Sequence, residues 1–243
     1  MRPACPARRR QTSTHRMGPS TMAPHDSAAL FDADRDHVEE TIEVVSTDNV
    51  VPIKVSEQPN RTEAEAAVKT LIAYTGEDAE RPGVLETPKR VVKAFDEWFG
   101  GYEIDADTLL SKTFDEVEGY QDMVLLRDIP FHSHCEHHMA PIVGKAHVAY
   151  MPRGRVVGIS KLARVVDAFA RRFQIQERMT EEVAQTIERV LEPAGVAVVI
   201  EAEHHCMTTR GIHTHDTVMH TKHLSGVFRE DANLRREFFD ALR

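Results

Sequence analysis

Cys135-Glu136-His137-His138 and, far downstream, His204-His205-Cys206 are the stretches of this chain whose residue types suit chemistry. The chain holds three cysteines, and two of them sit in these histidine clusters. Thiolate and imidazole are ligands zinc prefers, and a catalytic zinc takes three protein ligands and keeps a fourth position for water. Cys135 and His138, three positions apart, can meet one ion across a single tight turn, and Cys206 can close the triangle from a distant segment. Water held in that way becomes a nucleophile at neutral pH, so the pattern points to metal-assisted hydrolysis. On spacing alone a closed structural zinc stays open as well, with a fourth ligand from His137, His204 or His205. A zinc nucleobase deaminase is set aside, because that chemistry uses Cys-x-x-Cys and the sequence has none.

The surrounding pattern supplies helices and strands to carry these groups. Thr62 with Glu65 reads as a capping box; Val68, Leu71 and Ile72 form an apolar face, and Gly76 stops the helix. Thr87-Pro88 reads as the start of a second helix, with Val91, Phe95, Trp98 and Phe99 inward and Gly100-Gly101 at its end. Residues 102–121 read as irregular. Met123–Arg127, Gly144–Met151 and Val156–Ile159 read as strands, with the first histidine cluster on a loop or turn. Ser160 is the expected cap of a helix with the stripe Leu162, Val165, Val166 and Phe169. Thr180 is the expected cap of another, with Val183, Ile187, Val190 and Leu191 inward. Val196 to Cys206 reads as one long strand. Its alternation puts Val198, Ile200, Ala202, His204 and Cys206 on one face and Glu201, Glu203 and His205 on the other, aiming His204 and Cys206 at one site. Thr217–Leu224 reads as a further strand. A last helix starts at Asp231, with Leu234, Phe238 and Leu242 inward.

A length of 243 residues accommodates a single large α+β domain. A net charge of −9 argues against nonspecific nucleic-acid binding, so an anionic substrate must be met by basic residues gathered locally. No apolar run approaches the roughly 18 residues of a membrane span. An odd number of cysteines gives no disulfide framework and fits a reducing cytoplasm. Residues 1–60 stand apart: basic to Arg16, acidic from Asp26 to Asp48, rich in Pro, Ser and Thr. They are expected to form a disordered arm, with room for a short edge strand at Val50–Val55, ahead of an ordered domain over 61–243. The arm lacks the apolar stretch of a secretory signal, and Met17 and Met22 offer alternative starts.

Four stretches taken together resemble the GTP cyclohydrolase I family: Cys135-Glu136-His137-His138, Gly158-Ile159-Ser160-Lys161-Leu162-Ala163-Arg164, Gln174-Ile175-Gln176-Glu177-Arg178, and His204-His205-Cys206-Met207-Thr208-Thr209-Arg210-Gly211. The resemblance runs from about Thr62 to the C-terminus and leaves the arm outside. It implies the α+β tunnelling fold, an antiparallel sheet of four strands with helices on one face, preceded by N-terminal helices. It implies rings of subunits, a decamer of two stacked pentamers with active sites at subunit boundaries. The implied reaction takes GTP and water to 7,8-dihydroneopterin triphosphate and formate, the entry to tetrahydrofolate and other pterins.

The same resemblance assigns roles. Cys135, His138 and Cys206 match the ligands of one Zn2+ per subunit, and His137 and His204 match the catalytic histidines, whose imidazoles suit moving protons on and off purine nitrogens. Glu177 matches the anchor of the guanine, a planar two-oxygen acceptor for its N1–H and exocyclic amine, with Gln176 a weaker candidate for that pocket. Lys161, Arg164, Arg210 and Arg90 match the triphosphate-binding positions, and Ser160 at a helix start could receive an anion. Arg171, Arg172 and Arg178 are left as surface or interface charges. The chain departs from many members in its extra histidines 132, 134, 213, 215, 220 and 223.

Overall fold

Residues 58–114, 120 and 122–243 are described by the structure, a computed structural model. The expected arm, up to residue 57, and the strand at Val50–Val55 lie outside the described residues. In chain order the elements are α1 (Arg61–Tyr74), α2 (Thr87–Trp98), a 3-10 turn (Gly100–Glu103), α3 (Ala106–Leu110), β1 (Thr113–Phe114), β2 (Val124–Cys135), β3 (Pro141–Met151) and β4 (Val156–Val157). There follow α4 (Ile159–Ala170), β5 (Phe173–Gln174), α5 (Gln176–Leu191), β6 (Gly195–His204), α6 (His205–Thr208), β7 (Met219–Leu224), α7 (Val227–Glu230) and α8 (Ala232–Ala241).

The main sheet has the order β5-β2-β3-β6-β7. Its four long strands are antiparallel, as expected, and the two-residue β5 joins β2 in parallel, pairing His134 with Phe173 and Cys135 with Gln174. Strand β2 is far longer than Met123–Arg127 and carries the chain directly to Cys135. A bulge between Leu126 and Ile129, with Asp128 at φ 57°, interrupts it. The buried His147 of β3 accepts the Asp128 N–H on Nδ1 at 3.1 Å.

Helices α4 and α5 lie on one face. Leu162, Val165 and Val166 of α4 and Val183 and Ile187 of α5 are fully buried against Val196, Val198, Ile200 and Ala202 of β6. Each such side chain contributes roughly 1.5–3 kcal/mol. The other face is not bare: Phe228 and Phe238, from α7 and α8, cover Ala149, Ala197 and Val199. Helices therefore lie on both faces, not one. From Val196 to Ile200 strand β6 is apolar on both sides, which calls for cover on both. From Glu201 onward its second face is charged and half exposed.

Helix starts differ from expectation by a few residues. The capping box of α1 is Asn60 with Glu63, each side chain bonding the other's backbone N–H. Glu86 precedes α2, putting Thr87 inside it, and Val92 rather than Val91 is its buried residue. Gly158, not Ser160, caps α4. Thr180 lies within α5, which opens after Ile175, and its hydroxyl donates to the Gln176 carbonyl at 2.7 Å. The expected strand to Cys206 stops at His204; the helical turn α6 carries His205 and Cys206.

Candidate active site

Two backbone stretches converge at the Cys135 end of the sheet. Strand β2 ends at Cys135, and the turn 136–138 closes with the Cys135 N–H donating to Ala140 O at 2.8 Å. In β6, His204 pairs with Ile142, at the same end of β3, and α6 swings Cys206 back toward β2. The ligand atoms of Cys135, His138 and Cys206 all lie within 4.8 Å of one another. Cys135 Sγ is 3.8 Å from His138 Nδ1. Tetrahedral zinc, with bonds of about 2.0–2.3 Å, holds its ligand atoms about 3.5–3.8 Å apart, so two thiols and an imidazole at this spacing fit the ion.

The electrostatics fit as well. Burial, and then the neighbouring Cys135 thiol, push the Cys206 thiol up. Two thiols crowded together resist ionising until a cation joins them, and a coordinating thiol is deprotonated outright. Arg210, four residues past Cys206, donates through Nη1 to His138 Nε2 at 2.9 Å. That bond needs the proton of His138 on Nδ1, so it and coordination through Nδ1 exclude each other. Arg210 must therefore turn away when the ion is held.

Around this cluster the expected residues divide into two groups. His137 is exposed in the metal turn, its Nδ1 3.9 Å from Cys135 Sγ. His204 is held by Gln176, whose Oε1 accepts from His204 Nε2 at 2.8 Å. The orientation of that amide is fixed, because its Nε2 donates to Ile200 O and Met219 O, both at 3.0 Å, and to Thr221 Oγ1 at 3.1 Å. His204 thus carries its proton on Nε2 and offers a lone pair on Nδ1. Burial lowers its pKa, against the opposing pull of Glu177. Glu177 is exposed one residue on, in the first turn of α5. Gln176 itself is 2 % exposed, with every polar atom of its amide engaged inside the fold. A cavity of about 310 Å³ opens beside His204, lined by Met207, Thr208, Thr214, Thr217 and Met219. His205, the first residue of α6, lines a different pocket with Lys145 and Glu201.

The second group is remote. Val157 of β4 donates to the Tyr150 hydroxyl at 3.1 Å, so α4 begins at the Tyr150 end of β3. Helix α4 ends beside β5, at the Cys135 end. Ser160, Lys161 and Arg164 occupy its first turns, Lys161 about 14 Å of helix axis before Ala170. Ser160 and Arg164 are exposed and Lys161 half-buried; Arg90 is exposed in the first turn of α2. None of the four is brought to the cysteine cluster in the described protomer as Arg210 is.

Three residues carry more than sequence reasoning gave them. Arg171 donates to Glu97 O, and Arg172 donates to Gly101 O, Ala168 O and Ile104 O while lying over the rings of Phe169 and Tyr102. Arg178 pairs with Glu136 in the metal turn. Of the extra histidines, His134 is buried against Trp98 and Phe99, and His223 bridges Glu181 and Glu188. Among the described residues neither belongs to the metal cluster.

Residues 64–243 match the family model GTP cyclohydrolase I. The chain belongs to the GTP cyclohydrolase I family. GTP cyclohydrolase 1 of Brucella abortus (strain S19) is 55% identical over 190 residues, covering 78% of this chain and 89% of that protein. The Brucella suis (strain ATCC 23445 / NCTC 10510) protein of the same name matches to the same extent. A solved structure, the archaeosine synthase QueF-Like in the apo form, is similar over 44% of this chain and 96% of that one, with a TM-score of 0.37 and 19% identity. Family membership brings the tunnelling fold and oligomeric assembly. It also brings the reaction, a hydrolytic conversion of GTP to 7,8-dihydroneopterin triphosphate. Among the described residues no helix is long and apolar enough to cross a membrane.

Proposed function

We propose that Cys135, His138 and Cys206 hold one zinc ion per protomer, and that the GTP cyclohydrolase reaction, with release of formate, runs beside it. The observation that carries this reading is the triangle of two thiols and an imidazole within 4.8 Å, next to His204. When bound, zinc supplies the Lewis acidity that lets water attack a purine carbon at neutral pH. The remaining work falls to the chain. His204, neutral and with Nδ1 unprotonated, takes and returns protons at the purine nitrogens; His137, exposed in the metal turn, is the second proton carrier. Glu177 accepts the guanine N1–H and amine, its carboxylate being the planar acceptor those donors need. Gln176 reaches no substrate and instead fixes the tautomer of His204.

Arg210 is placed to meet phosphate near the cluster once it leaves His138. Ser160, Lys161 and Arg164 sit at the far end of α4, and Arg90 on α2, so we assign them to the triphosphate of a site completed by a neighbouring copy. That division is what a ring of subunits, a decamer of two stacked pentamers, provides. The reducing cytoplasm is the compartment where such thiols stay free.

Zinc-loaded protein is expected to release formate from GTP and give a fluorescent pterin after oxidation. Chelation, or Cys206→Ser, should abolish both, and zinc should restore only the chelated wild type. Cys206→Ser and Lys161→Ala protomers, each inactive alone, should regain about a quarter of wild-type activity when dissociated and reassembled at equal amounts, since random pairing leaves that share of composite sites intact. No formate from the metal-loaded assembly would refute the activity, and no recovery on mixing would refute the shared site.

A further inference from the structure

We infer that Arg178 is a positioning residue for the metal turn, acting through Glu136. The inference rests on the reading of Cys135, His138 and Cys206 as the zinc site. Cys135, His137 and His138 all sit on or beside the turn 136–138, which leaves the sheet at the end of β2. Backbone bonds close that turn on itself, from the Cys135 N–H to Ala140 O and from the Met139 N–H to Cys135 O, both 2.8 Å. They do not tie it to the helix that carries Gln176 and Glu177. Two contacts tie it to β5 and to that helix, and both pass through Glu136. Its N–H donates to Gln174 O at 3.1 Å, and its carboxylate pairs with the Arg178 guanidinium.

Arg178 is built for this task. Its Nε donates to Gln174 Oε1 at 3.3 Å, and the Nη2 that meets Glu136 also donates to Phe173 O at 3.2 Å. Gln174 is buried and held in turn, donating to Phe169 O at 3.0 Å and to Glu182 at 2.8 Å. The guanidinium is thus held by two hydrogen bonds before it meets the carboxylate, unlike an ordinary exposed ion pair. Lysine would offer a point charge without that fork. The hydrogen bond to Glu136 raises the pKa of Arg178, so the guanidinium stays charged.

The consequence is a division of labour in the first turn of α5. Gln176 holds His204, Arg178 holds the turn bearing Cys135, His137 and His138, and Glu177 stands between them. One helical turn sets the distance from metal to proton carrier to guanine anchor. Outer-shell partners of metal ligands typically change metal affinity or activity by about 10–100-fold when removed.

The test compares wild type, Arg178→Ala, Arg178→Lys, Glu136→Gln and the Ala/Gln double variant as assembled, zinc-loaded protein. The rate of zinc transfer to a colorimetric chelator and the kcat and KM for GTP are measured for each. Arg189→Ala, which removes an exposed pair with Asp107 on the last turn of the same helix, is the control. Zinc transfer is expected to quicken about 10-fold or more in Arg178→Ala and Glu136→Gln, with kcat falling and KM moving less than about 3-fold. Arg178→Lys should recover part of both, and the double variant should be no worse than the poorer single one. Zinc transfer within about 2-fold of wild type in Glu136→Gln, or single effects that multiply in the double variant, would overturn the inference. If Arg178→Ala fails to assemble, Glu136→Gln, a near-isosteric change at a half-exposed side chain, decides alone. A wild type that binds zinc but releases no formate would refute the activity and leave the zinc-transfer comparison standing.

Discussion

Replacing Gln176 by leucine should cost stability and rate through separate contacts of one amide. The Nε2 group serves Ile200 O, Met219 O and Thr221 Oγ1, and Oε1 receives His204 Nε2. Through Thr221 the amide also joins a relay: the Thr221 and Thr180 hydroxyls lie 2.7 Å apart, and Thr180 donates back to Gln176 O at 2.7 Å. A buried hydrogen bond is worth about 1 kcal/mol net, and a carbonyl left unpaired costs about 1–3 kcal/mol. Against the apolar gain of leucine, Gln176→Leu should lose roughly 2–4 kcal/mol, read from urea unfolding at fixed protomer concentration. The rate effect comes from His204, whose freed ring should lower kcat by about 10–100-fold. Gln176→Glu separates the two: the carboxylate still grips His204 but cannot donate to Ile200 O and Met219 O. A carboxylate there favours the imidazolium, raising the His204 pKa, so the acid limb of kcat should move to higher pH. A Gln176→Leu protein that loses stability but keeps wild-type kcat and an unmoved acid limb would refute the claim that Gln176 orients His204.

Two further predictions concern the fold. Burial lowers the pKa of His147, only partly offset by Asp128 and Glu201, and its Nδ1 must stay unprotonated to accept the Asp128 N–H. The unfolded chain then binds a proton that the folded one refuses, so stability should fall as pH drops below about 6.5. His147→Asn should flatten that part of the urea-midpoint profile against pH, whereas an unchanged slope would remove His147 as its source. Ile187→Ala, at a fully buried position of α5 against β6, should destabilise by about 2–5 kcal/mol in the same urea assay with little change in KM for GTP.

Much of this was legible where one physical signal acted alone. The stripes of α4 and α5 announce themselves at helical period, and Leu162, Val165, Val183 and Ile187 are buried as that period requires. The convergence of Cys135, His138 and Cys206 was legible because few arrangements other than a shared cation reward two scarce thiols and an imidazole in such company. Helix starts were misread wherever the cap is made by backbone geometry rather than a side chain. Gly158 and Ile175 precede α4 and α5 without any side-chain hydrogen bond, so Ser160 and Thr180 looked better than they are. The parity argument held through His204 and failed at Cys206, because nothing local marks the switch from strand to helical turn. A continued strand would have set Cys206 about 6.6 Å beyond His204 along the sheet; α6 instead turns it toward Cys135. Arg178 looked like surface charge because its partner lies 42 residues away, a separation no periodicity can register.

The protomer is also unfinished in ways that point in one direction. Helix α1 has no buried residue, and Leu71 and Tyr74 stand 63% and 87% exposed. Its cover comes from α2, and a helix of 14 residues so thinly covered is marginal in water. Among the described residues strand β7 ends the sheet with no strand beyond it, and such edges are templates for another chain. Lys161 and Arg164 wait at the end of α4 away from the cysteines. On the proposed shared site, oligomeric assembly would answer all three deficits: neighbours that cover α1 and β7 would also bring the far end of one α4 within reach of another cluster. Fold stability and activity should therefore share one concentration dependence. Dilution that separates the subunits removes apolar cover and phosphate ligands together, whereas a site complete within one chain would lose only the first.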